Sequence, residues 1–479
     1  MSPRTGGSKM FKRLGWVGAI ALAVLSFAVA PAFAAPSPRL LKDINPGAED
    51  QDINGGVDEF ARAGRFVFFS ADDGKHGYEL WRTNGTRNGT QLVRNIKPGP
   101  GGSESYDLRN LNGVLLFAAD DGQHGYELWR SDGTRRGTRM VRNLGPGAAD
   151  PYVVAKSRGT LYLGADDGTH GVELWKTDGT RRGTKLVRDI APGASDSFPD
   201  RGVQLGRKIV FAARDATHGF ELWRSNGTRS GTKLVRNIAA GATGSNPAEL
   251  RVLSGQILFY ADDVTHGYEL WRSDGTKGGT DLVDDINPLP AEGSQGPFDS
   301  FFFYGFGRAG DQVVFSADDG TNGEELWASD GTRADLIGDI NPAGDSVPIG
   351  WATVKGVAYF EAYDGHGAGD HGFELWRTDG TIAGTKLVRD IAPGPDDSSP
   401  GEFASFDDKL YFQARGRSGN DAELWRSNGT KAGTKLVKEF FPGPEGGFPK
   451  TLTGVGGTLF LSARDVAHGA EPWTLTTGR

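Results

Sequence analysis

The sequence predicts an all-β fold, a closed β-propeller of about nine four-stranded blades. Three observations predict it. A Glu-x-Trp element recurs nine times, with Trp81, Trp129, Trp175, Trp223, Trp271, Trp327, Trp376, Trp425 and Trp473 spaced 46–56 residues apart. A period of that size belongs to propellers, solenoids and arrays. Each repeat reads as four short strands with turn signals between them, and the two ends of the repeat array are complementary fragments of one unit.

In chain order, residues 1–34 read as a secretory signal peptide. Lys9, Lys12 and Arg13 form a basic start, Leu14 to Ala30 is apolar and uncharged, and Pro31 breaks the run before an Ala32-Phe33-Ala34 cleavage site. Cleavage after Ala34 leaves residues 35–479 as one propeller domain. The expected location is secreted, periplasmic or cell-surface, with no membrane insertion after cleavage, because no second apolar run follows.

The unit between residues 247 and 286 shows the strand pattern. Pro247 to Leu253 is a first strand and Gln256 to Ala261 a second. Asp262 to Gly267 is a loop, Tyr268 to Arg272 a third strand, Asp274-Gly275-Thr276 a hairpin turn, and Leu282 to Ile286 a fourth strand. An Asp-Gly or Asn-Gly pair supplies the positive φ angles of a tight turn. Second strands carry consecutive apolar residues, as in Val67-Phe68-Phe69 and Leu115-Leu116-Phe117. Neighbouring strand residues face opposite sides, so both faces of each sheet must be covered; stacked blades cover one another.

The first repeat element after the leader, Leu40 to Ile44, matches a fourth strand alone, while the last, Ala470 to Leu475, matches a third strand whose fourth is missing. As open ends both would be bare sheet edges. In a ring the first strand completes the last blade. Nine blades exceed the 4–8 of typical propellers.

Glu-Leu-Trp, two residues, then Asp/Asn-Gly-Thr resembles the ELWxxDGT repeat family of exported, mainly bacterial proteins. The resemblance covers residues 40–479. It implies the propeller-like fold and export, and no reaction or ligand.

Composition narrows the function classes. The net charge is −8, and about −12 without the leader. An acidic surface argues against nucleic acid or anionic membrane as partner. With no cysteine, disulfides, thiolate catalysis and thiolate metal sites are excluded.

Nine glutamates, from Glu79 to Glu471, stand two residues before the repeat tryptophans. Two carboxylates 5–10 Å apart serve glycosidases, but equivalent residues round a ring make no asymmetric site, so these are read as structural. Seven histidines, His76, His124, His170, His218, His266, His371 and His468, stand five before a tryptophan, with Asn322 and Asn420 in the other two units. Blades stack about 10 Å apart, too far for neighbours to share an ion. His and Asn both tolerate positive φ, which suggests a loop role. Asp-Asp-Gly loops such as Asp72-Asp73-Gly74 lack the alternating ligands of an EF-hand. No cofactor is expected, calcium in a loop being the one exception entertained.

Specificity is expected where units depart from the pattern. Unit six has an extended Pro-rich loop from Pro288 to Pro297, then Phe301 to Phe306. Unit seven has a long loop with Asp364, His366, Asp370 and His371. Unit eight carries Arg415 and Arg417 in place of the acidic loop. These six residues are the ligand-binding candidates. No catalytic residue stands out and the metal question is open. The expected function is a non-enzymatic binding or scaffold module for protein or glycan outside the cell. The alternative is a glycan-active hydrolase or lyase at the channel mouth.

Overall fold

A computed structural model of the chain describes residues 36–46, 57, 59–288, 305–365, 367, 369–416 and 421–477. The expected leader, most of the unit-six loop, His366, Arg417 and Asn420 lie outside the described residues.

Nine four-stranded antiparallel sheets form a ring, eight of them with their strands in chain order. Blade 1 runs Ala61–Ala63, Phe66–Asp72, Tyr78–Thr83, Gln91–Arg94. Blades 2 to 8 span residues 106–142, 152–188, 200–236, 248–284, 307–338, 349–389 and 401–438. Blade 9 combines Lys450–Val455, Thr458–Asp465 and Gly469–Thr476 with Arg39–Leu40 from the other end of the chain. Leu40 pairs with Trp473, so the expected closure is present.

First strands lie innermost. Side-chain carboxylates link neighbouring blades there, as where Leu108 N–H donates to Glu59 Oε2 and Val153 N–H to Asp107 Oδ2. Hydrophobic clusters span blade pairs. Phe68, Leu80 and Val93 of blade 1 pack with Leu115, Phe117 and Trp129 of blade 2. Leu41, Val57 and Phe460 pack with Phe69 and Trp81 across the closure.

The repeat tryptophans are packing residues between blades. Each of seven carries on its ring a cation from the end of the preceding blade's outer strand or, for Lys42, two residues beyond it, 5.2–5.8 Å away: Lys42 on Trp81, Arg94 on Trp129, and so on to Lys438 on Trp473. Such a contact adds about 0.5–2 kcal/mol to the buried area. Where that position holds Asp284 or Gly338 instead, the following Trp327 and Trp376 are only partly buried. Trp223 is buried beneath Arg188. Trp223→Ala should cost about 3–5 kcal/mol of stability, measured by chemical unfolding; a mutant as stable as the parent would contradict this packing role.

Two readings of local structure need correction. The fourth strand of blade 5 is Thr280–Asp284, not 282–286. After Asp284 the chain leaves the sheet, and the Ile286 and Asn287 amides turn inward to donate to Glu269. The preceding connection is also longer than the Asp274-Gly275-Thr276 turn expected, since Ser273 pairs with Thr280. Of its residues only Gly275 has positive φ, 79°, while Gly278 and Gly279 do not. Asp274 instead accepts from the Thr276 N–H and hydroxyl, 2.8 and 2.6 Å.

Candidate functional site

The repeated glutamates serve the fold, each accepting from the segment that follows its blade, although Glu127 Oε1 is buried without a hydrogen-bond partner. Glu221 is buried and accepts from Ile238 N, Ala239 N and Ser245 Oγ at 3.1, 3.0 and 2.7 Å. It thereby fixes the segment that leads to the next blade. Glu79 and Glu173 bind their connecting segments the same way. Burial outweighs these bonds and raises the carboxyls, to about 7 for Glu173 and about 8 for Glu269. Each stands in its own blade, so the structure brings no glycosidase pair together from this set.

The histidine position also serves its own loop, though not through positive φ. The following glycine takes that conformation, as at Gly77, 66°. What His and Asn share is a side-chain N–H: His76 Nδ1 lies 2.9 Å from Asp73 Oδ2, and Asn322 Nδ2 donates to Asp319 Oδ2 at 2.8 Å. Asp73 also accepts the amides of Lys75 and His76. Hydrogen bonds with His76 and these amides hold its carboxyl below the usual range, even though burial, the largest effect, pushes upward.

The candidates from the irregular units behave similarly. Asp364 clasps His371, accepting from its backbone N–H at 2.7 Å and facing Nδ1 at 2.8 Å. Asp370 accepts from Gly367 N at 2.8 Å, closing its own loop. Arg415 ends a second strand and donates its backbone N–H to Ser398 O. The same register position holds Arg214 in blade 4 and Arg464 in blade 9, so this arginine is not peculiar to blade 8. His366 and Arg417 lie outside the described residues. Among the described residues, no three His, Asp or Glu side chains gather around a metal position.

Sequence reasoning missed two features of the inner rim. The first is a cavity of about 510 Å³ across blades 3 to 5, on the face where the blade-connecting segments lie. Tyr152, Phe198 and Phe220 supply its rings, and Asp200, Arg201 and Asn246 its polar edge. Tyr152 pairs across strands with Gly164, where a Cβ would come within 2.2 Å of the ring; the glycine lets the tyrosine lie against the sheet. Arg214 stacks its guanidinium on Phe198 and Phe220, 4.9 and 5.7 Å from their centroids, while its Nε donates to Asp196 O. Phe198 nevertheless keeps 38% of its surface exposed. The available signal was an aromatic at a rim position that holds Glu104, Asp150 and Asn246 in other blades.

The second feature is Glu361. It pairs across strands with Ile349, at the position of Ala118, Gly164 and Ala212 in blades 2 to 4. Burial pushes its carboxyl up to about 7, with Asp397 adding to the shift and Arg415 opposing it.

No family model and no curated protein sequence matches the chain. Among solved structures, it is similar to puromycin hydrolase at 15% identity, over 76% of this chain and 58% of that one, TM-score 0.38. It is also similar to the β-propeller domain of the Trilobed protease from Pyrococcus furiosus, at 13% identity over 80% and 98% of the two chains, TM-score 0.36. TolB from Acinetobacter baumannii aligns at 12% identity over 69% and 79%, TM-score 0.28. The chain thus spans under two thirds of the hydrolase, and the likeness says nothing of activity.

Proposed function

We propose that this chain is an exported, non-enzymatic binding or scaffold module whose ligand, protein or glycan, sits at the inner rim of blades 3 to 5. The observation that carries the reading is the open cavity in which three aromatic rings meet a carboxylate, a guanidinium and an amide. Ligand pockets have this size and this mixture of apolar wall with few polar groups. The rest of the repeat is occupied in holding blades and loops, so asymmetry at the rim is what distinguishes one ligand from another.

A screen against cell-surface glycans and co-exported proteins supplies the ligand. Phe198→Ala and Asp200→Ala should then weaken binding at least about tenfold, the loss of ~1.4 kcal/mol, without lowering the melting temperature. His124→Ala, in a regular blade, should leave binding intact. If Asp364→Ala or Arg415→Ala abolishes binding and Phe198→Ala does not, the site belongs to blades 7 and 8. The second reading, a glycan-active hydrolase or lyase, draws on Glu361, whose carboxyl burial pushes up to about 7 against the opposing Arg415 charge. Glycan cleavage that Glu361→Gln abolishes would favour it.

A further inference from the structure

The residue just after the outer strand differs between blades in a way that changes the chemistry around the buried glutamate. In blades 1 and 4 it is Asn95 and Asn237. With the amides oriented to suit their surroundings, Asn95 donates to Glu79 Oε1 at 3.3 Å and to Lys97 O at 2.9 Å. Asn237 donates to Glu221 Oε1 at 3.2 Å and to Ala239 O at 2.7 Å. The site thus needs a donor between a carboxylate and a carbonyl.

In blade 6 the same position holds an exposed aspartate, Asp339, and in blades 3, 5, 7 and 9 it holds Asp189, Asp285, Asp390 and Asp43. In each of these last four, Oδ1 is shut off from solvent and has no hydrogen-bond partner. An ionised aspartate there sets an acceptor against two acceptors, beside a glutamate that is itself at most 2% exposed. Two carboxylates so placed cannot both stay charged. One proton shared between the two carboxyl groups supplies the missing donor. A calcium ion would need six to eight oxygens, and among the described residues no third acid joins either carboxylate at such a site.

We propose that the pairs Asp189–Glu173, Asp285–Glu269, Asp390–Glu374 and Asp43–Glu471 each hold one shared proton, which joins the orphaned Oδ1 to the buried glutamate and makes the ring an acid-favoured fold. Each pair titrates as a unit. The charged groups facing them are few. His170, itself clasped by Asp167, faces the blade 3 pair. His266 with Asp263, and Asp284, face the blade 5 pair. Glu361 faces the blade 7 pair and His468 the blade 9 pair.

The sign follows from proton uptake. Glu173, Glu269, Glu374 and Glu471 are raised above 4.5 by burial first, with the neighbouring aspartate adding to it. The stability linked to them is present below pH 4.5 and is lost as pH rises through about 7 to 8. His170 and His266 are raised from 6.5 by hydrogen bonds to their aspartates; their contribution is likewise lost with rising pH.

Asp285→Asn keeps the donor without the proton. Its stabilisation, read from urea unfolding, should be at least about tenfold larger in the folded-to-unfolded ratio at pH 8 than at pH 5. Asn237→Asp should do the reverse, weakening the fold about tenfold more at pH 8. Independently of unfolding, the infrared carbonyl stretch of a protonated carboxyl group should be present in the native protein at pH 7 and shrink in the variant with all four aspartates changed to Asn. A variant effect that is equal at the two pH values, or the absence of that band, overturns the proposal. So does stabilisation by calcium chloride that Asp285→Asn abolishes, which would put a cation between the carboxylates.

Discussion

A chain lacking residues 35–45 should fail to hold its ring. The deletion removes the Arg39–Leu40 strand and the Leu41 N–H bond to Pro472 O. It also strips Glu471 of its two donors, Ile44 N and Asn45 N, both at 3.0 Å. A buried polar group left without partners costs about 1–3 kcal/mol, more when charged. The cation over Trp81 goes as well. The outcome to measure is a sharply lower melting temperature or aggregation on size exclusion, with recovery when a peptide of residues 36–46 is added. If the truncated protein melts with the parent, the strand is not the closure it is described as.

Glu221→Ala should be at least as damaging as the tryptophan truncation. Three donors, Ile238 N, Ala239 N and Ser245 Oγ, lose their acceptor in a fully buried site. At about 1–3 kcal/mol each, the loss is about 3 kcal/mol or more, visible as a shift in the urea midpoint. Glu221→Gln retains one acceptor oxygen and should recover much of it. Equal losses in the two variants would mean that cavity volume, not the missing acceptor, sets the cost.

The ring was legible in the sequence because each unit repeats its strand signals, and closure because residues 40–44 and 470–475 are halves of one blade. The outer-strand boundary was not, because it depends on Glu269 drawing in the amides of residues 286 and 287, a contact 17 residues distant. The histidine was placed in the right loop for the wrong reason, since its partner Asp73 is visible only when the turn is folded. The site was sought where units are irregular. Tyr152 comes from blade 3, Phe220 from blade 4 and Phe198 from the segment between them, each unremarkable alone, so their meeting is a product of the ring.

The seams of that ring are not equally fastened. Asp284 and Gly338 leave Trp327 and Trp376 without the cation that covers the other seven. At one of them the polarity is inverted, with Asp284 accepting from Ala334 N at 3.0 Å. Ninefold geometry therefore does not mean ninefold energetics. Local opening draws on the least stable unit, and blade 6 is the one bounded on both sides by a seam without that cation.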